Sequence, residues 1–154
     1  KIYSEAEAEV LKAIECLEYG CSLPNLATGS ELEVSRGVTC GLTYEPLGIV
    51  AGVVPFNFPL MVPMWMLPQA LAGGNAFILK PSERVPLSSQ RLADILDQAG
   101  VPKGIFSIVQ GTRSVVEAMR VGAHHVAQRA RQRSSAKRVC RQESSRSSRG
   151  AGRP

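Results

Sequence analysis

Asn57 stands between two phenylalanines and two prolines, in Pro55-Phe56-Asn57-Phe58-Pro59, directly after a short apolar run. A side-chain amide held at such a place can donate a hydrogen bond to an oxygen that gains negative charge during a reaction. Asparagine also caps helices by accepting a backbone N–H, and the residues leave both roles open. A second polar group, Lys80-Pro81-Ser82-Glu83-Arg84, follows another apolar run. Lys80 offers three N–H donors that suit ribose hydroxyls or a phosphate. Glu83 could accept hydrogen bonds from a ribose diol, and Arg84 could meet a phosphate or carboxylate. A solvated strand end, a loop charge and a surface ion pair are the plainer readings of these three, and Ser82 suits a turn. The cysteines Cys16, Cys21, Cys40 and Cys140 contain no Cys-x-x-Cys pair. His124-His125 has no partner at ligand spacing, so no metal site is expected. No glycine cluster gives a dinucleotide fingerprint or a phosphate loop.

Both polar groups need strand ends to hold them. Ser4 and Glu7 read as a capping box. Behind them Val10, Ala13, Ile14, Leu17 and Cys21 recur at helical spacing, predicting a helix that ends near Gly20. Cys16 on that helix reads as a small buried residue. Residues 22–37 read as loop, and 39–45 as a strand. Ile49 to Val54 is apolar and β-branched, the mark of a strand covered on both faces. Pro59 can open a helix over 60–72, kinked by its later prolines and closed by Gly73-Gly74. Residues 76–79 form a second buried strand that delivers Lys80. A helix from Pro86 to Ala99, a strand over 105–109 and a helix capped by Thr112 complete the order. Strands alternating with helices imply an α/β fold with a parallel sheet, whose ligands bind beyond the carboxyl ends of the strands.

The net charge of +5 describes neither part of the chain. Residues 1–119 carry 8 Lys+Arg against 12 Asp+Glu, a net of −4. Residues 120–154 carry nine Arg and one Lys against a single acidic residue. That second segment lacks Leu, Ile and aromatic residues, so it cannot offset its ordering entropy and is expected to be disordered. The stretch from Pro46 to Leu79 has no charge and is long enough for a bilayer, but five prolines divide it into a buried strand–helix–strand core. No membrane association is expected. The chain opens on a charged helical stretch and not on a secretory signal, so a cytoplasmic setting with reduced thiols is expected.

Taken together, Gly48 through Pro59, Gly73-Gly74-Asn75, Lys80-Pro81-Ser82-Glu83, Ala99 to Pro102, Gly104 and Gln110-Gly111 resemble the aldehyde dehydrogenase superfamily. The resemblance covers roughly residues 5–119 and implies an incomplete Rossmann-like NAD-binding domain, followed by the basic tail at 120–154. Phe56 before Asn57, and Arg84 after Glu83, resemble the CoA-acylating methylmalonate-semialdehyde dehydrogenase branch. That likeness makes Asn57 the oxyanion donor and Val54, Phe56, Lys80, Glu83 and Arg84 NAD-contacting residues. It implies attack on an aldehyde by a cysteine thiolate, hydride transfer to NAD, and passage of the acyl group to CoA as co-substrate. It further implies a homo-oligomer, a dimer or a tetramer. Lys12 stands where the branch tends to carry an arginine for the substrate carboxylate.

The family's F-V-G-S turn and nucleophilic cysteine region do not appear, and Cys140 lacks the family's surrounding motif. The chain is therefore expected to be a fragment without activity of its own. A gene frameshifted near codon 120, or a truncated gene product, would account for the Arg/Ser-rich tail. Two other readings compete: a fragment of a non-acylating aldehyde dehydrogenase, and a basic-tailed nucleic-acid-binding module. The second has nine tail arginines for phosphates but no aromatic residues for stacking.

Overall fold

Close approach between elements decides much of this structure, and it begins with the first helix. In a computed structural model that describes residues 1–122 and the backbone of 141–142, helix α1 spans Tyr3–Leu26. Its start is set by Glu5, whose Oε2 accepts the Ile2 N–H at 3.3 Å. Ser4 and Glu7 thus lie inside the helix and do not form the expected box. The helix also runs through Gly20 instead of ending there. Gly20 serves packing: a Cβ at this position would lie 2.5 Å from Pro68 Cβ. The buried stripe is accordingly Glu9, Ala13 and Gly20, with Cys16 packed beside the core. Val10, Ile14 and Leu17, expected on the inner face, are exposed. The inner face is rotated toward the smaller residues because only they admit the neighbouring helix.

Strands β1 (Ser30–Ser35) and β2 (Val38–Leu42) form an antiparallel hairpin with Leu32 opposite Cys40. Residues 22–37 are therefore not simply loop. The polar–apolar alternation of Ser30 to Ser35 is a strand signal, and Gly37, at φ +73°, supplies the turn. Strand β6 (Arg141–Gln142) pairs with β2, placing Gln142 opposite Val38. Of the segment 120–154 expected to be disordered, residues 120–122 are helical and 141–142 form this strand; the rest, including Cys140 and the His124-His125 pair, lies outside the described residues.

Three strands make the parallel sheet: β3 (Ile49–Val53), β4 (Ala76–Lys80) and β5 (Phe106–Ile108), in that spatial order. The register sets Ile49 opposite Ala76, Val53 opposite Lys80, and Phe77 opposite Phe106. On one face Phe77 and Leu79 are wholly buried with Leu67, Met64 and Ala13. Gly52 permits this packing, because a Cβ there would lie 2.6 Å from the Phe77 ring. The expectation that β3 is covered on both faces fails. Ile49, Ala51 and Val53 point outward, with Ile49 52% and Val53 51% exposed. That face of the edge strand is about half exposed.

The single kinked helix expected over 60–72 is two short ones, α2 (Met61–Met64) and α3 (Leu67–Ala72). Pro68 has no N–H to give to the carbonyl of Met64, so the break falls just before it. Gly73-Gly74 ends α3, with Gly74 at φ +76°. Asn75 then ties both sheet entries together. Its Oδ1 accepts the Gly48 N–H at 3.0 Å, while its Nδ2 donates to the carbonyls of Ala70 and Gly73 at 3.1 and 3.2 Å. Helix α4 (Pro86–Gln98) crosses back to β5, and residues 113–122 are again helical.

Two substitutions test this packing by urea denaturation. Gly20→Ala and Gly52→Val should each lower stability by about 1–3 kcal/mol, as overpacking does. Ala51→Ser, on the outward face, should stay within about 0.5 kcal/mol of the parent.

Candidate functional site

Parallel pairing carries the backbone of both polar groups to one end of the sheet. Beyond β3 the Val54 N–H still donates to the Lys80 carbonyl, at 3.1 Å, so the two strands leave the sheet together. Val54 is buried in the core cluster. The chain then turns through Pro55 to Pro59 and presents Phe56, Asn57 and Phe58.

Lys80 ends β4 as a buried residue, 5% exposed, and not as a solvated strand end. Its Nζ donates to Glu83 Oε2 at 3.0 Å. Glu83's own backbone amide and the Lys80 ammonium hold the Glu83 carboxyl below the usual carboxylate range. Ser82 acts as a turn residue: its carbonyl accepts the Val85 N–H at 3.2 Å, and its Oγ accepts the Arg84 N–H at 3.4 Å. This turn brings the Arg84 guanidinium over the Phe56 ring, 5.1 Å from the centroid. Val54, Phe56, Lys80, Glu83 and Arg84 thus form one contiguous group across two strand ends. A buried ammonium beside a solvent-facing carboxylate combines donors and an acceptor, which fits a ligand carrying vicinal hydroxyls.

Asn57 borders a cavity of about 780 Å³ between α1 and the turn after β3. Phe56, Phe58, Met61 and Val85 give it apolar walls, and Glu9 and Lys12 contribute charge. Among the described residues no cysteine lines it. Lys12 pairs with Glu15, whose carboxylate raises the lysine's pKa. The helix-cap role open to Asn57 is filled by another residue. The N–H groups of Leu60 and Met61 donate to Glu9 Oε1, at 2.8 and 3.0 Å. The Asn57 backbone carbonyl accepts Lys1 Nζ at 3.0 Å. The Asn57 side-chain amide makes no hydrogen bond to the described residues and remains available at the cavity.

Glu9 is the residue that sequence reasoning missed. It is 6% exposed and pairs with Lys1 across the turn. Burial raises its pKa, but the hydrogen bonds from Lys1, Leu60 and Met61 outweigh burial and leave it lowered. The available signal was positional: Glu9 lies four residues before Ala13 on the stripe of small residues, so a carboxylate there faces inward.

The sequence and the fold both have counterparts. Malonate-semialdehyde dehydrogenase 2 of Bacillus thuringiensis (strain Al Hakam) is 48% identical over 120 residues, covering 77% of this chain and 25% of that protein. The methylmalonate-semialdehyde dehydrogenase of Oceanimonas doudoroffii superimposes with a TM-score of 0.74 at 44% identity, over 77% of this chain and 24% of the other. A Sinorhizobium meliloti 1021 protein solved in complex with NAD gives a TM-score of 0.74 at 41% identity, again over 77% and 24%. The chain therefore spans about a quarter of the length of the relatives it matches. With residues 1–128 also matching the aldehyde dehydrogenase family model, and with the strand-end residues assembled as described, the chain belongs to the aldehyde dehydrogenase family.

Proposed function

We propose that this chain supplies the cofactor-facing strand ends and the oxyanion donor of an NAD-dependent, CoA-acylating (methyl)malonate-semialdehyde dehydrogenase. The observation that carries this reading is the grouping of Lys80, Glu83, Arg84 and Phe56 beside a cavity bordered by an unpartnered Asn57 amide. Lys80 and Glu83 hold ribose hydroxyls, with the lysine donating and the carboxylate accepting. Arg84, stacked on Phe56, meets a phosphate, and Val54 forms the apolar floor. NAD, when bound, supplies the hydride acceptor. The Asn57 amide donates to the aldehyde oxygen as negative charge develops there, which speeds the reaction because the donor is already in place. Lys12 faces the substrate carboxylate as a point charge, without the two-pronged fit of an arginine. CoA takes the acyl group.

The whole enzyme is read as a cytoplasmic homo-oligomer. Support comes from the free thiols of Cys16, Cys21 and Cys40, and from the exposed apolar residues Leu32, Val34 and Leu42 on the β1–β2 hairpin. Among the described residues no helix is long and apolar enough to cross a membrane.

Calorimetric titration of the chain with NAD tests the cofactor site. Lys80→Met should weaken binding by about tenfold or more, the cost of losing a charged hydrogen bond. Absence of NAD binding by the parent chain, or equal binding by the variant, would overturn the assignment. The chain alone should not oxidise malonate semialdehyde, because among the described residues no cysteine lines the cavity beside Asn57. Formation of NADH in a spectrophotometric assay with purified chain would contradict this.

A further inference from the structure

Asn57 can act only if its backbone is held, and the turn that carries it belongs to no long element. Helix α2 has four residues and cannot satisfy its own first amides. Those amides are met from α1. Glu9 Oε1 takes the N–H groups of Leu60 and Met61, and Glu9 Oε2 pairs with Lys1. Lys1 Nζ in turn reaches the Asn57 carbonyl at 3.0 Å and lies 4.6 Å from the centre of the Phe58 ring. Asn57, Phe58, Leu60 and Met61 are therefore all gripped by one ion pair, and Pro59 fixes the backbone between them. A buried carboxylate is costly unless fully used, and both oxygens of Glu9 are used on this turn or its lysine.

We propose that Glu9, together with Lys1, is a positioning residue that clamps the 57–61 turn and aims the Asn57 side-chain amide into the cavity. The functional consequence rests on the reading of Asn57 as oxyanion donor, whereas the clamp itself is tested separately. The other charged groups at this cavity are Glu5 and Lys12, both on α1. Residues 57–72 carry no charge, so the turn and the two short helices contribute no competing group. The clamp is present above the usual glutamate range. It is lost as pH falls through the lowered pKa of Glu9, when the carboxyl takes a proton.

Nuclear magnetic resonance of the full chain, with amide exchange, reads the clamp without catalysis. The Leu60 and Met61 amides should be protected and should titrate together below pH 4.5, the ordinary value for the glutamate carboxyl. Glu9→Gln should abolish that titration and move the Asn57 side-chain amide resonances. It should also cut protection of Leu60 and Met61 by about tenfold or more, with Phe77 and Leu79 in β4 unchanged. Unprotected Leu60 and Met61 amides in the parent chain, or unmoved Asn57 resonances in the variant, would overturn the proposal. If Glu9→Gln loses β4 protection as well, Lys1→Met decides. It leaves the carboxylate–amide bonds in place, and a shift of the Asn57 resonances supports the clamp while their constancy refutes it. A clamp that holds in a chain that fails to bind NAD would overturn the cofactor-site assignment and leave the clamp standing.

Discussion

The register of β3 on β4 governs the site. Val53 lies opposite Lys80, and the Val54 N–H reaches the Lys80 carbonyl, so both strands release their polar ends at the same height. A shift of one residue would turn Lys80 to the opposite face. Phe56 and Arg84 would then not meet. At the far end of the sheet Asn75 fixes the same register from the other side, tying Gly48 to the carbonyls of Ala70 and Gly73. One side chain at the entry of the strands thus controls geometry at their exit, because a parallel pair transmits its register along its whole length.

Around that pair the packing depends on missing atoms as much as on large side chains. Gly20 lets α1 touch Pro68, and Gly52 leaves room for Phe77. The approach of α1 has a second effect, since it brings Glu9 within reach of the turn after β3. The contact that closes the core therefore also delivers the charge that holds Asn57. Outward-facing Ile49 and Val53, and Val10, Ile14 and Leu17 of α1, are apolar positions left about half exposed. They accord with a chain that spans a quarter of the length of its relatives.

Local chemistry made most elements legible. Apolar β-branched residues marked β3, proline and glycine bounded α4, and alternation of helix and strand announced the parallel sheet. Where expectation and structure part, a long-range contact is the cause. Gly20 reads as a helix stop by local rules, yet it sits mid-helix because Pro68 must approach. The stripe Val10-Ala13-Ile14-Leu17 has helical spacing, yet the neighbour selected the smaller face. Strand β1 was hidden by the turn formers around it, although its own alternation was visible.

The sequence by itself determined which residue types arrive at the strand ends, since the motifs around Asn57 and Lys80 follow short, bounded apolar runs that read as strands. It also determined the charge of each group, because charge belongs to the side chain. Only the tertiary structure decided what each polar group does with its partners. It buried Lys80 against Glu83, set Arg84 on Phe56, and gave the helix amides to Glu9 so that the Asn57 amide stays unpaired. Such choices depend on distances between residues far apart in the chain. Local propensity holds no information about them until packing brings the elements together.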